Sequence, residues 1–283
     1  MPQSPVDLHM HSTASDGRLS PTALVQRAAD KGVRLMALTD HDTLDGLEEA
    51  MGAARTAGIE CLAGIELSAR WARGVVHIVG LHLDPTATAL RDGVRAQQAE
   101  RRRRAEQIAE RLERAGCEGV ATRVMAAVGD GVPGRAHFAR DLVAAGYAKT
   151  MQQAFDRYLQ RGRRGYAPVH WARLEAVVDW IHAAGGVAVF AHPLRYHLSR
   201  GALRAAVQAF CEAGGEAIEV CNGGGGRDDP ASAAALARRY NLKASMGSDF
   251  HDPEFPWVEI GRLAPLPRDL EPVWQAWGFH DAG

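Results

Sequence analysis

The chain has 283 residues, 46% hydrophobic and 24% charged, a composition that suits a soluble protein of one large domain or one domain carrying an insertion. A formal charge of −1 and a pI near 6.9 give no bulk electrostatic reason to bind nucleic acid or a membrane surface. The start, Met1-Pro2-Gln3-Ser4-Pro5, lacks a basic n-region and an apolar h-region, which argues against export, no apolar run approaches the ~18 residues of a spanning helix, and Cys61, Cys117, Cys211 and Cys221 form no CxxC pair; a cytoplasmic protein with reduced thiols and no membrane partner is expected.

In chain order, Val6 to His9 reads as a strand. A helix follows from about Ser20 to Lys31, with Ser20-Pro21 as N-cap and first position and Gly32 as stop. Arg34–Thr39 is a second strand, and Leu44–Ala57 a helix ended by Gly58. Ile59–Ile65 and Val75–His82 are two more strands. From about Leu90 to Arg164 the strand rhythm stops. This block reads as helices near 97–115, 135–145 and 151–160, with the loop 129–134 between them. The β-α rhythm returns with a helix near 174–184 and strands at 187–191, 217–221 and 243–246. Repeated β-α units with buried strands imply a parallel sheet, and about seven strands imply a barrel. The expected domains are an α/β barrel over 1–89 and 165–283 and a helical insertion over 90–164 capping its mouth.

Ligand-type residues fall at the strand ends. His9 and His11 stand two apart on one strand, so both rings reach one side. Asp16 follows in a loop, His41 closes the second strand beside Asp40, and Glu66 follows the third. His77 lies on the fourth strand, His192 ends the fifth, and Asp249 and His251 end the last. Any one of these alone reads as a packed histidine or a turn aspartate. Their recurrence at the carboxyl ends of separate strands, where barrel enzymes build their sites, reads as a metal centre. Nine donors are too many for one ion, so two or three divalent ions are expected. Mn²⁺ comes first, with Zn²⁺ and Fe²⁺ suited to the same ligands and Mg²⁺ permitted at the oxygen-rich end.

The motifs Asp7-Leu8-His9-Met10-His11-Ser12, Leu38-Thr39-Asp40-His41-Asp42, Gly64-Ile65-Glu66, Ala191-His192-Pro193 and Gly247-Ser248-Asp249-Phe250-His251 together resemble the PHP (polymerase and histidinol phosphatase) family. The resemblance implies a distorted (β/α)7 TIM-like barrel. It implies one ion held by His9, His11, Glu66 and Asp249, a second by Glu66, His77 and His192, and a third by Asp16, His41 and His251. Asp40 would then orient a neighbouring ligand. Asp16, His41, Glu66, His192, Asp249 and His251 are the catalytic candidates among them. Asp at position 16, with an insertion carrying Gly134-Arg135-Ala136-His137, is similar to the branch acting on nucleotides rather than histidinol phosphate.

Such a centre lowers the pKa of bound water and clamps the attacking and leaving oxygens of an in-line displacement at phosphorus. No Gly-x-Ser-x-Gly elbow, P-loop or Rossmann glycine pattern offers other chemistry. The expected reaction removes the 3′-phosphate of a 3′,5′-bisphosphonucleotide, leaving an AMP-like product. The alternatives are 5′-to-3′ trimming of short RNA and a non-catalytic metal-binding module. For the phosphate left uncleaved, Arg135 and His137 at a helix start are the first candidates. Arg195, Tyr196 and His197, then Asn222 and Gly223–Gly226, follow as substrate contacts. Arg101–Arg104 read as a solvated, salt-bridged helix face with Glu100, Glu106, Glu110 and Glu113. Trp171, Trp180 and Trp257 read as core or rim packing, with a place near substrate as the alternative for Trp257, just after the Asp249/His251 motif.

Overall fold

The computed structural model describes residues 3–129, 131–196 and 198–279, so His197 lies outside the described residues. Seven strands pair in chain order: β1 (Val6–Asp7), β2 (Leu35–Leu38), β3 (Glu60–Trp71), β4 (Gly74–Leu81), β5 (Val187–Phe190), β6 (Ala217–Asn222) and β7 (Lys243–Gly247). Past the short regular part of β1, the backbone meets the end of β7. Leu8 N donates to Met246 O at 3.0 Å, Asp249 N to His9 O at 2.7 Å and His11 N to Phe250 O at 2.9 Å. These bonds make the sheet a nearly closed seven-stranded barrel. Its strands are buried on both faces, with Met36, Leu38, Ile65, Ile78, Phe190, Ile218 and Met246 all at or below 2% exposure.

The sheet departs from the expected parallel order at one strand. β4 runs antiparallel to both β3 and β5. Only Ala72 and Arg73 separate β3 from β4, whereas a parallel crossover needs a dozen residues or more. The chain therefore makes a hairpin, and this reversal has a consequence for the site. The first half of β4 lies where the parallel strands finish, so His77, paired with Ser68, stands at that end.

Between the strands, α1 (Pro21–Asp30) begins as expected, with Ser20 Oγ accepting from Ala23 N at 3.2 Å. The next helix, α2 (Leu47–Ala57), starts three residues later than expected. Thr43 Oγ1 donates to Asp45 Oδ2 at 2.8 Å and accepts from Asp45 N at 3.2 Å, a local turn that competes with the helix. Gly58, at φ 72°, ends it in the left-handed region.

The chain divides into two compact units, Met1–Val94 with Ala172–Gly283, and Arg95–Trp171. The barrel unit also carries α7 (Leu174–Ala183), α8 (Arg200–Glu212) and α9 (Asp229–Tyr240). The second unit holds most of α3 (Thr88–Arg114), with α4 (Val120–Val128), α5 (Arg135–Ala144) and α6 (Met151–Ala154). It has its own core of Ile108, Leu112, Val120, Phe138, Leu142 and Leu159. α4 carries no sequence start signal, because its N-cap is Gly119, which has no side chain to accept a bond. The helix expected over 151–160 forms as α6 followed by a wider π turn at Phe155–Leu159. Among the described residues no helix is long and apolar enough to cross a membrane.

Candidate metal centre

All nine donor residues expected from the sequence lie in the barrel unit, and the structure brings them into one cluster. Four atoms converge first. His9 Nε2 lies 3.4 Å from Glu66 Oε2 and 3.4 Å from Asp249 Oδ1, while His11 Nε2 lies 3.3 and 3.1 Å from the same two oxygens. The two imidazole nitrogens are 3.1 Å apart. On the other side, Glu66 Oε1 lies 2.9 Å from His77 Nδ1 and 2.9 Å from His192 Nε2. His251 Nε2 is 3.3 Å from Asp16 Oδ1. Three groups can each place ligand atoms within 4.8 Å of one another: His9, His11, Glu66 and Asp249; His41, Glu66 and His77; His11, Asp16, His41 and His251. Each pair of groups shares one residue, so the three positions are contiguous. His192 joins through Glu66 Oε1.

The donor set fits divalent metals. Bonds of about 2.0–2.2 Å from one centre put neighbouring donors roughly 3.0–3.5 Å apart, which is the spacing seen around Glu66 and Asp249. Glu66 Oε2 is fully buried and makes no hydrogen bond, although His41 Nδ1 lies 2.8 Å away. A buried carboxylate oxygen without a donor is costly unless a cation faces it.

The backbone around these side chains is unusual. Asp42, His192 and Asp249 have φ values of 50°, 30° and 54°, the left-handed region that non-glycine residues adopt at a cost. The surrounding bonds hold them there. Asp42 accepts from Ser68 N and Oγ at 2.8 and 3.0 Å, and Asp42 N donates to Glu66 O at 2.9 Å. Gly247 lies so close to His9 that an added Cβ would stand 2.2 Å from the histidine's own Cβ.

Asp40 acts on the loop that carries Asp16, not on an imidazole. It accepts from Ser12 N at 2.7 Å and from the hydroxyls of Ser12 and Ser15 at 2.6 Å each. It therefore fixes the loop between His11 and Asp16 rather than a ring. Two buried acids without a ligand-like spacing also belong to the site. Asp7 accepts from Ser248 N and Gly261 N, each at 2.8 Å, and burial pushes its carboxyl up to about 6. Glu219, on β6 and 2% exposed, has Oε1 2.5 Å from His9 Nδ1. An acid two residues before His9 and one in the apolar run Ala217–Cys221 were the available signals, since such residues are rarely fully buried without a partner.

Charge sorts the cluster. Burial pulls His9 and His11 down, but Glu219, Glu66 and Asp249 outweigh it for His9, and Asp249 and Glu66 hold His11 up at about 10. Burial lowers His41 to about 4, with His11 adding to the effect, so its ring is neutral and able to ligate. Burial opposes ionisation of Glu66, Asp16 and Asp249, yet the neighbouring imidazoles hold all three well below the usual carboxylate range.

Of the expected substrate residues, Arg195 and Asn222 join the barrel cluster. Arg195 Nη1 lies 2.5 Å from Asp249 Oδ2, and its Nη2 donates to Gly223 O. Asn222 Nδ2 donates to Glu219 Oε2 at 3.1 Å, leaving its buried Oδ1 without a hydrogen-bond partner. Tyr196 Oη accepts from His77 N at 2.8 Å, a positioning contact. Trp171 is buried and Trp180 packs on the barrel core, while Trp257 is 63% exposed and lies against Phe255, at ring centroids 5.1 Å apart.

Arg135 and His137 lie in the helical unit, in the first turn of α5, where His137 Nδ1 accepts from Gly134 N at 2.9 Å. The salt-bridged reading of Arg101–Arg104 holds for Arg103, paired with Glu100 at 2.5 Å, and fails for Arg104. Its half-buried guanidinium has an unpartnered Nε, and burial together with Arg135 and Arg101 lowers it to about 9.

A PHP domain family model matches residues 7–161. A 3′,5′-nucleoside bisphosphate phosphatase of Chromobacterium violaceum is 43% identical over 271 residues, covering 95% of each chain. The 5′-3′ exoribonuclease Rnm of Salmonella typhimurium is 44% identical over 274 residues, covering 96% of this chain and 93% of the relative. A solved amidohydrolase structure from Chromobacterium violaceum, with bound sulfate and no metal, superimposes with a TM-score of 0.92 at 42% identity, covering 97% of this chain and 96% of that one. With matches over nearly its whole length, this chain belongs to the PHP domain family.

Proposed function

We propose that the protein is a metal-dependent phosphatase that removes the 3′-phosphate from 3′,5′-bisphosphonucleotides. The observation that carries this reading is the set of three contiguous donor groups, two of them sharing Glu66, in a chain 43% identical to a nucleoside bisphosphate phosphatase. In this assignment His9, His11, Glu66 and Asp249 hold one ion and Glu66, His77 and His192 a second. Asp16, His41 and His251 hold a third, and Mn²⁺ is the preferred occupant. Ions bound there would supply charge neutralisation at phosphorus and acidify the attacking water.

The chain's own residues do the positioning. Glu66, with Oε2 toward His9 and His11 and Oε1 toward His77 and His192, would serve donors on both sides of it. Arg195 sits on Asp249 with its guanidinium beside the cluster, able to meet a phosphoryl oxygen. The Asn222 amide is held by Glu219 Oε2 and Gly247 O beside the cluster, which places it at the end of β6 among the proposed substrate-side residues. Within the helical unit, Arg135 and His137 are proposed as phosphate contacts, with Arg104 near Arg135.

The second reading, exonucleolytic trimming of short RNA, is favoured by the 44% identity to the exoribonuclease. Phosphate release by the Mn²⁺-reconstituted protein decides between them. Adenosine 3′,5′-bisphosphate, a short 5′-phosphorylated RNA and histidinol phosphate are compared, with Asp249→Ala as the control. The bisphosphate is expected to give the highest kcat/KM and the variant no turnover. RNA degraded to mononucleotides far more efficiently would make the protein a nuclease. Equal inactivity of wild type and variant on all three would remove both readings, leaving a structural cluster or a substrate outside this set.

A further inference from the structure

We propose that Glu219 is a positioning residue that fixes the proton of His9 on Nδ1 and clamps the His192 turn, so that ligands on the two sides of Glu66 are set by one carboxylate. This rests on the metal reading of the cluster and adds a residue to it. Glu219 Oε1 takes the His9 Nδ1 side at 2.5 Å, while Oε2 accepts from His192 N at 2.6 Å and from Asn222 Nδ2 at 3.1 Å. All three partners present donors to it when His9 carries its proton on Nδ1. The Nε2 lone pair of His9 then faces Glu66 and Asp249, where a cation would sit.

Two further observations support the assignment. The pairing of β6 on β7 slips between Glu219 and Cys221, an irregularity of the kind that re-aims a side chain beside a site. His192 holds a φ of 30°, and its N–H is anchored only through the Glu219 bond among those described.

Glu219→Gln is a discriminating change, because the two side chains have nearly the same shape. A glutamine has one acceptor oxygen where two are used. If its oxygen serves His192 N, its NH₂ faces His9 and favours the ring tautomer with the proton on Nε2, pointing into the cluster. If its oxygen serves His9, the NH₂ meets the N–H of the strained His192 turn. Either way one ligand is misplaced, whereas a purely space-filling role would be unaffected.

The test is metal affinity, read by chelator competition with Zn²⁺ or Mn²⁺ and needing no substrate. Glu219→Gln is expected to bind about 10- to 100-fold more weakly, with its circular dichroism unchanged. As a second measurement that does not depend on the variant folding, ¹⁵N–¹H long-range NMR of the Zn²⁺-loaded wild type should show the His9 proton on Nδ1. Affinity within twofold of wild type in a folded variant, or a His9 proton on Nε2, overturns the proposal. A wild type that binds bisphosphonucleotide poorly but keeps tight metal binding and the Nδ1 proton would leave this proposal standing and remove the substrate assignment. A wild type that binds no metal would overturn both.

Discussion

At position 249 one aspartate accepts several constraints at once. Its Oδ1 faces both His9 and His11, its Oδ2 meets Arg195, and its backbone sits at φ 54°. Asp249→Ala removes a donor from the four-atom pocket. It should lower kcat/KM by more than the roughly 100-fold expected from losing a group behind the ligands, measured as phosphate release under saturating Mn²⁺. Gly247→Ala attacks the same pocket by volume. Its new Cβ would stand 2.2 Å from His9 Cβ, so the variant should lose at least about 1–3 kcal/mol in urea unfolding, with weaker metal binding because His9 must move. Away from the site, burial raises the Cys221 thiol to about 11. At pH 8 only about one thiol in a thousand would be ionised, and the side chain is buried as well. Ellman titration of the folded protein should leave it unreacted. Because the folded-state pKa is the higher one, this thiol favours folding less as pH rises from 9 toward 11. At this scale the ligands were legible in the sequence because donor type, strand-end position and two-residue spacing all coincide. Glu219 was not, because a lone acid in an apolar strand has no spacing to mark it. Its role appears only when residues 9 and 219 meet.

Elements show a similar contrast. The start of α1 was readable because Ser20 and Pro21 act locally, through one hydroxyl and one fixed φ. Ser20→Ala should cost about 1 kcal/mol in chemical denaturation and leave kcat/KM unchanged, since Ser20 touches none of the cluster. The direction of β4 was misread because an apolar run looks alike in either direction. What fixes its sense is the two-residue connection from β3, and β3 runs on to Trp71, well past the Ile65 end expected for it. That longer strand places the turn, and the turn places His77. The helical unit was readable as a break in strand rhythm, but α4 was hidden by its glycine cap.

For the whole molecule, the cluster joins residues from nearly every part of the barrel, so metal and fold should be thermodynamically linked. Chelation with EDTA should abolish activity and lower Tm, and added Mn²⁺ should restore both. At a metal concentration 100 times Kd the stabilisation would be about 2.7 kcal/mol. Calorimetric scans with and without chelator measure it. An unchanged Tm would mean that the imidazoles and carboxylates satisfy one another without an ion.

The seam between β1 and β7 also sets an order of events during synthesis. The β3–β4 hairpin closes over two residues and can form as soon as it leaves the ribosome. The His9–Asp249 pairing must wait for nearly the entire chain. A nascent chain that ends before β7 already carries His9, His11 and Glu66 but lacks their fourth partner. Tight metal capture at that pocket is therefore a late event, and a stalled or truncated chain would be a poor competitor for the cell's scarce ions.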